Sequence, residues 1–455
     1  MNTPETTARL ADLAARIRDL EAVFSCGGTI TLPAPVTLFF ADGRSIRVVR
    51  ENARTRGIGR KLMARCQPAP FGVGRKTYHD RRVRDGGQLL ASDGALRASG
   101  LDLSRTGILT EIRRTLCPGD EQDPVAELYA LNVYGARGHF VAHKDTPRDP
   151  EVFGTLVVCL PVPFRGGGLV LHHDSIRRFE WETADSFGFG RREDTYPVQW
   201  AAFYSDVDHE IEPVSKGTRV TLTWLLRRAA ASAFIPRQPA ASEVDLEAEF
   251  AAALANPRFL SSGGLLGIPC THIYPARSGR APFAKTLSKA RASTLKGRDR
   301  LVALAALRAG LRARIRPYLF ETCGDESWRL MRAPSDRERA IFRWQRLGAG
   351  DLEEAMPIEH HADWYTDDDV TWVLPPPWMP SERHDLSRDA QPASEFLGEV
   401  EYSATNYFGN EGGEAAFYVS ATLLLEVPPA RKRSVRRAPQ RGVARTATER
   451  RRRRP

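Results

Sequence analysis

Four polar residues of this 455-residue chain have types and spacings suited to metal chemistry: His143, Asp145, His209 and Arg219. His143 and Asp145 stand two apart, and residues i and i+2 of an extended strand point to one face, so an imidazole and a carboxylate can reach the same ion. Two ligands make a poor site. A third is expected from a distant strand facing the first across a barrel, and His209 lies far enough along the chain for several short strands to intervene. Two histidines and one carboxylate on one side of an iron leave its other side open to a bidentate 2-oxo acid and dioxygen. Arg219 falls inside an apolar, strand-like run, where a charge is costly unless paired. A guanidinium there can grip a carboxylate in a bidentate way, and Thr221, two residues on and on the same face, can add a hydroxyl.

Rival groupings exist. A second H-x-D, His361-Ala-Asp363, has its next histidine at His384, across the Pro-rich Leu374-Pro-Pro-Pro-Trp378, too close for a returning barrel strand. It reads as a surface or packing feature. His172, His173 and Asp174 resemble a ligand cluster, but adjacent histidines on a strand face opposite ways, which points to the barrel rim. His139 suits packing or the substrate side better than ligation.

The elements that must hold these residues can be read from periodicity. Leu10, Leu13, Ile17, Leu20 and Phe24 recur at steps of three and four behind Thr3 and Pro4, which predicts a helix over 3–24. Short apolar runs broken by Gly and Pro follow, among them Thr29–Leu32 and Pro35–Phe40. Between about 124 and 228 come runs rich in β-branched and aromatic residues (126–134, 154–160, 168–172, 199–204, 218–226), the pattern of an all-β barrel. The Ala-rich stretch 229–241 reads as a linker. Beyond it, Leu301, Leu304, Leu307, Leu311 and Ile315 predict an amphipathic helix, and 397–407 and 415–427 predict strands around the turn 409–413.

Composition narrows the class. Apolar and charged fractions of 42% and 27% are those of a globular protein, and no apolar run is long enough for a membrane span. With no secretory-signal pattern, the cytosol is expected, or the nucleus in a eukaryotic host. Cys26, Cys66, Cys117, Cys159, Cys270 and Cys323 form no C-x-x-C pair, against a zinc ribbon or a disulfide framework. From Arg431 to Pro455 twelve Lys and Arg oppose one acid, so a tail of +11 leaves the rest near −1 out of the total of +10. Nucleic acid is therefore expected to meet this protein only through the Arg-rich tail, which reads as a solvated extension, a nuclear address or a sequence-blind grip on polyanions.

Residues 126–226 resemble the prolyl 4-hydroxylase-like catalytic domain of the iron(II)/2-oxoglutarate dioxygenases. The resemblance is carried by Tyr134-Gly-x-x-Gly-x-Phe-x-x-His143-x-Asp145, by Leu156–Leu160, by Phe164-Arg-Gly-Gly-Gly-Leu169, by Phe203-Tyr-Ser-Asp-Val-Asp-His209-Glu-Ile-Glu-Pro-Val, and by Gly217-Thr-Arg219. It implies an α+β protein with a mainly β core: a double-stranded β-helix of jelly-roll or cupin type, with flanking helices and an additional mixed α/β C-terminal half. The expected organisation is an N-terminal helix and mixed segment supporting the barrel (1–105), the dioxygenase domain (106–228), a linker (229–244), a mixed α/β domain (245–427) and an Arg-rich tail (428–455).

The same resemblance implies iron ligands at His143, Asp145 and His209, a cosubstrate carboxylate partner at Arg219, and a site-lining tyrosine at Tyr134. It implies Fe(II), 2-oxoglutarate and dioxygen, with ascorbate as an accessory reductant. The reaction implied is hydroxylation of an unactivated C–H bond, with release of succinate and carbon dioxide. Collagen-type members commonly carry Lys where Arg219 stands, and some have a cosubstrate-binding Tyr on the strand holding Val157, Val158 and Cys159; both departures weaken a collagen-like substrate. Asp145 argues against halogenation, and Leu225, where nucleic-acid demethylases carry a second Arg, against base repair. The substrate reads as a peptidyl proline or another protein side chain, or a small molecule. Trp364, Trp372, Trp378 and Asp367–Asp369 suit either a docking surface or a packed lid. The rival from another class is a non-catalytic scaffold that keeps the barrel and holds a partner with its second half.

Overall fold

Helix and strand boundaries follow local chemistry closely in the computed structural model, which describes residues 3–20, 23–49, 57–73, 76–117, 123–145, 152–173, 176–181, 196–228, 241–276, 287–288, 292, 295–321, 327–331, 364–365, 370–374, 408–409, 417–419 and 421–433. The second H-x-D, His384, Asp174, Trp378, Asp367–Asp369, Cys323, the predicted strand 397–407 and the stretches 229–240 and 434–455 lie outside the described residues.

The strands that frame the candidate site are β1 (Ser25–Leu32), β2 (Gln67–Pro68), β3 (Arg84–Asp85), β4 (Gly87–Leu90), β5 (Val125–Tyr134), β6 (His139–His143), β7 (Val152–Cys159), β8 (Leu169–His172), β9 (Ile176–Phe179), β10 (Tyr196–Tyr204), β11 (Asp208–Ile211) and β12 (Arg219–Arg227). A seven-stranded sheet runs in the order β1-β10-β7-β12-β5-β4-β2, and a five-stranded sheet in the order β9-β8-β11-β6-β3. Neighbours in both pair antiparallel. The two sheets contribute to one apolar core, with Leu156, Val158, Phe203, Val220 and Leu222 from the larger and Phe140, Leu169, Leu171 and Ile211 from the smaller. The β-rich core expected from the spacing of apolar runs is present.

Strand β7 is buried at every position because it lies at the middle of the larger sheet, which is covered on both faces. That is why it reads as an unbroken run, Val-Phe-Gly-Thr-Leu-Val-Val-Cys, with no polar alternation. Helix α1 (Pro4–Arg18) starts where the Thr3 side chain accepts the Thr6 backbone N–H at 3.2 Å. Helices α2 (Ile58–Met63) and α3 (Ile108–Leu116) flank the larger sheet, α2 against β5 and α3 against β1 and β10.

A second apolar core is built by α1, α4 (Ala241–Ala255), α5 (Gly297–Arg308) and the strands β13 (Gly264–Pro269), β14 (Arg312–Glu321) and β15 (Ala421–Val427). Leu10, Leu13, Ile17 and Leu20 of the N-terminal stripe are buried here, beside Leu246 and Phe250, whereas Phe24 joins the first core. The helix expected to support the barrel thus packs on the C-terminal half. Periodicity marks which face of a helix is buried, but apolar burial is non-directional and names no partner.

The helix predicted through Leu311 and Ile315 ends earlier. Gly310 sits at φ +92°, a conformation costly to any residue with a Cβ; its N–H bonds Leu307 O, and the Leu311 N–H bonds Ala306 O at 3.0 Å. This Gly-terminated cap closes α5, and Ile315 belongs to β14. Among the described residues, no helix is long and apolar enough to cross a membrane.

Candidate active site

His143 closes β6 and His209 lies in β11, and the two are direct cross-strand partners in the smaller sheet. The third ligand therefore comes from the adjacent strand, and not from one facing it across a barrel as the sequence reading expected. Antiparallel partners point to one face, so pairing itself brings the imidazoles together, with ring centroids 4.1 Å apart. Asp145 follows two residues after His143, and its Oδ1 lies 3.9 Å from His209 Nε2. One ligand atom from each of the three falls within 4.8 Å of the others, the separation a single metal ion spans. All three side chains are buried.

Their orientation is fixed from outside the triad. His143 Nδ1 lies 2.9 Å from Val141 O and His209 Nδ1 3.0 Å from Val207 O, each carbonyl two residues back along the chain. A carbonyl only accepts, so each Nδ1 donates, which makes Nε2 the ligand nitrogen of both rings. Thr155 on β7 donates its hydroxyl to Asp145 Oδ2, so the carboxylate turns Oδ1 toward His209. Lys144, between the first two ligands, pairs with Asp208, beside the third, and ties the two ligand segments together. Phe140 stacks on the His143 ring at 3.5 Å between centroids, and Phe203 lies 4.7 Å from that of His209, which gives the imidazoles apolar walls.

Register carries Arg219 to the same interior face. Thr155, which touches Asp145, pairs with Leu225 on β12, Val157 pairs with Thr223, and Cys159 pairs with Thr221. Directly paired residues share a face, and Arg219 is in phase with them two residues before Thr221. On its other side Arg219 pairs with Tyr134 of β5, and its guanidinium lies 5.8 Å from the centre of that ring and 5.5 Å from that of Trp181.

Arg219 is 1% exposed, and its Nε and Nη2 have no hydrogen-bond partner among the described residues. Each buried donor left so costs about 1–3 kcal/mol. Burial pushes the guanidinium down from its ordinary value, and the aromatic rings beside it offer no formal anion. Gly167, at φ +64°, lets the backbone approach: a Cβ there would stand 3.1 Å from Arg219 Cδ. A buried guanidinium on the triad-facing side of the sheet, with Nε and Nη2 unpaired among the described residues, fits the far carboxylate of a dicarboxylic acid.

The structure thus assembles His143, Asp145 and His209 around one point, and places Arg219, Tyr134 and Thr221 on adjacent strands of the facing sheet. His139 is turned elsewhere, its ring nitrogens 3.0 Å from Arg137 O and Arg82 O. His172 faces Glu210 at 3.4 Å, while His173 leaves the rim to join Asp206 and His272 in a second cluster. Thr155, Lys144, Asp208 and Trp181 escaped the sequence reading. Only Lys144 carried a signal, as a charge between two ligands; Thr155 reads as part of an apolar strand.

No protein-family model matches the chain, and no curated protein matches its sequence. Among solved structures the chain is similar to a prolyl-4-hydroxylase from Pseudomonas putida (16% identity, 48% of this chain and 100% of the other, TM-score 0.26). It is also similar to an oxidoreductase of the 2OG-Fe(II) oxygenase family from Burkholderia pseudomallei (18% identity, 49% and 92%, TM-score 0.24). A third is a prolyl hydroxylase from Trichoplax adhaerens in complex with a hypoxia inducible factor peptide fragment (12% identity, 50% and 94%, TM-score 0.25). The side chains, and not these distant likenesses, carry the functional reading.

Proposed function

We propose that this chain is an iron(II)- and 2-oxoglutarate-dependent oxygenase of the prolyl 4-hydroxylase-like kind, with its two facing sheets forming the double-stranded β-helix and with hydroxylation of an unactivated C–H bond as its reaction. One observation carries the reading: a buried His/Asp/His set stands opposite a buried arginine whose Nε and Nη2 have no hydrogen-bond partner among the described residues. A structural scaffold gains nothing from a desolvated cation with no anion beside it among the described residues, whereas a cosubstrate carboxylate turns that cost into binding.

In this reading His143 Nε2, His209 Nε2 and Asp145 Oδ1 hold ferrous iron, and Arg219 binds the C5 carboxylate of 2-oxoglutarate, with Tyr134 and Thr221 lining its path. Bound there, the metal supplies activation of dioxygen coupled to decarboxylation of the 2-oxo acid to succinate and carbon dioxide. The chain's own residues do the rest. Val141 and Val207 carbonyls keep Nδ1 protonated on each imidazole and Nε2 committed to the ion. Thr155 holds one carboxylate oxygen of Asp145 away from the metal and keeps the other on it. Phe140, Phe203, Val157 and Trp181 keep water from the space between the triad and Arg219.

The test is turnover without a prime substrate. Purified chain with Fe(II), 2-oxoglutarate and oxygen is expected to release succinate slowly, and His143→Ala to release none. Equal succinate from both proteins, or none from either when the wild-type chain binds neither Fe(II) nor 2-oxoglutarate, would overturn the reading and favour the scaffold. The substrate is sought by mass spectrometry of host proteins for a 16 Da gain that a His143→Ala strain loses.

A further inference from the structure

The C-terminal half reaches the candidate centre through one buried charge. Asp206 lies in the turn between β10 and β11, three residues before His209, and is 4% exposed. Its Oδ1 accepts from Lys296 Nζ at 2.7 Å, and its Oδ2 accepts from His272 Nδ1 and from the Ile273 backbone N–H, each at 3.0 Å. Lys296, His272 and Ile273 all belong to the C-terminal half, and Lys296 and His272 are each 3% exposed. Beside this node the Gly297 N–H donates to Tyr204 Oη at 3.1 Å, at the other end of the same turn, and Tyr204 donates to Leu116 O. The turn is therefore clamped at Tyr204 and at Asp206 by the segment that opens α5.

His173, Asp206 and His272 also have the residue types of a metal set, with one ligand atom each within 4.8 Å of the others. The carboxylate argues otherwise. Both of its oxygens already accept from the C-terminal half, and an ammonium sits against it, so a divalent cation there meets like-charge repulsion from Lys296. Burial opposes ionisation of Asp206, yet Lys296 and His272 hold its carboxyl well below the usual carboxylate range, as an ion-paired joint requires.

The residue after Asp206 is Val207, whose carbonyl takes the Nδ1–H of His209. Holding the Asp206 side chain anchors the turn one residue before the peptide that presents this carbonyl, and the carbonyl fixes which nitrogen His209 offers and where. We propose that the Lys296–Asp206–His272 node is a positioning device: the C-terminal half sets the geometry of His209, and hence the metal affinity of the centre, through Asp206 and Val207 O. This rests on the reading of His143, Asp145 and His209 as metal ligands. It makes Lys296 and His272 positioning residues, remote in sequence from the ligand they serve.

The test uses the full chain and Co(II) alone, followed by visible absorption, with thermal unfolding measured on the same samples. Wild type is expected to bind one Co(II) per chain. Leu304→Ala, which opens a cavity in the second core away from the node, is expected to lower the melting temperature and keep the Co(II) affinity and spectrum. Lys296→Met is expected to weaken Co(II) binding by about tenfold, the scale of losing an outer-sphere partner, and to shift the absorption bands. His272→Phe keeps a ring against Tyr204 and removes only the donor to Asp206; it is expected to weaken binding in the same direction and serves if Lys296→Met does not fold. Unchanged Co(II) affinity and spectrum in whichever of these node variants folds would overturn the proposal while leaving the metal centre standing. A second Co(II) equivalent lost in His272→Ala would also overturn it, since the node would then be a metal site. A wild-type chain that binds no Co(II) would instead bring down the centre itself, and this inference with it.

Discussion

Two clusters in this molecule have the same composition, two histidines and one aspartate, and differently committed atoms. In the first, around His143, Asp145 and His209, the Nδ1 atoms are spent on backbone carbonyls and one carboxylate oxygen on Thr155, so the ligating atoms converge. The nearby lysine, Lys144, is turned to Asp208. In the second, around His173, Asp206 and His272, the lysine is inside the cluster and the carboxylate is filled by donors from the C-terminal half. Residue type offers both clusters to a metal. Which atoms are already satisfied decides that one is suited to an ion, as proposed above, and the other joins two cores.

The strongest way to break this comparison is to delete a ligand from each side. Asp145→Ala is expected to weaken Co(II) binding by more than about 100-fold, beyond the cost of losing an outer-sphere partner, whereas His173→Ala keeps one equivalent bound; comparable losses in the two titrations would erase the distinction. Next in size is Arg219→Met. Removing the fork is expected to cost about 2–5 kcal/mol in 2-oxoglutarate binding, read by calorimetry, with Co(II) affinity unchanged. The same substitution removes a buried cation with unspent donors, so the cosubstrate-free variant is expected to melt no lower than wild type.

Thr155→Val should be milder, with Co(II) affinity lowered about tenfold and largely restored in Thr155→Ser, because only the hydroxyl on Asp145 Oδ2 is at issue. The smallest effect sharpens the second cluster. Asp206 has a depressed folded-state pKa against an unfolded value of about 3.9, so its ion pairs stabilise the fold fully above that value and are lost as pH falls below it. Melting temperatures between pH 5 and pH 3 are expected to fall less steeply in Asp206→Asn than in wild type; parallel slopes would remove the ionised joint.

The candidate site was more legible than the body that carries it. The H-x-D spacing is local, and although β6 ends at His143, Asp145 two residues beyond it still comes within reach of His209. The β-rich first half was legible too, since β5, β7, β8, β10 and β12 each appear as a short apolar run between turn residues. Three expectations failed, two because the deciding contact is remote and the third at a local glycine cap. His209 sits beside His143 in one sheet, α1 packs on the C-terminal half, and α5 stops at Gly310, where the leucine spacing continued but the backbone turned left-handed.

What the sequence by itself determined is the inventory and its local direction: which side chains can ligate, which share a strand face, and that Arg219 is a charge in an apolar setting. Spacing along the chain fixes those relations, because extended backbone has one period and few soft torsions. Only the tertiary structure decided that the ligand atoms of both His/Asp/His groupings converge, and which of the two is closed by Lys296. Hydrogen-bond saturation depends on partners brought in from far along the chain, and apolar burial, which brings them, is blind to sequence distance.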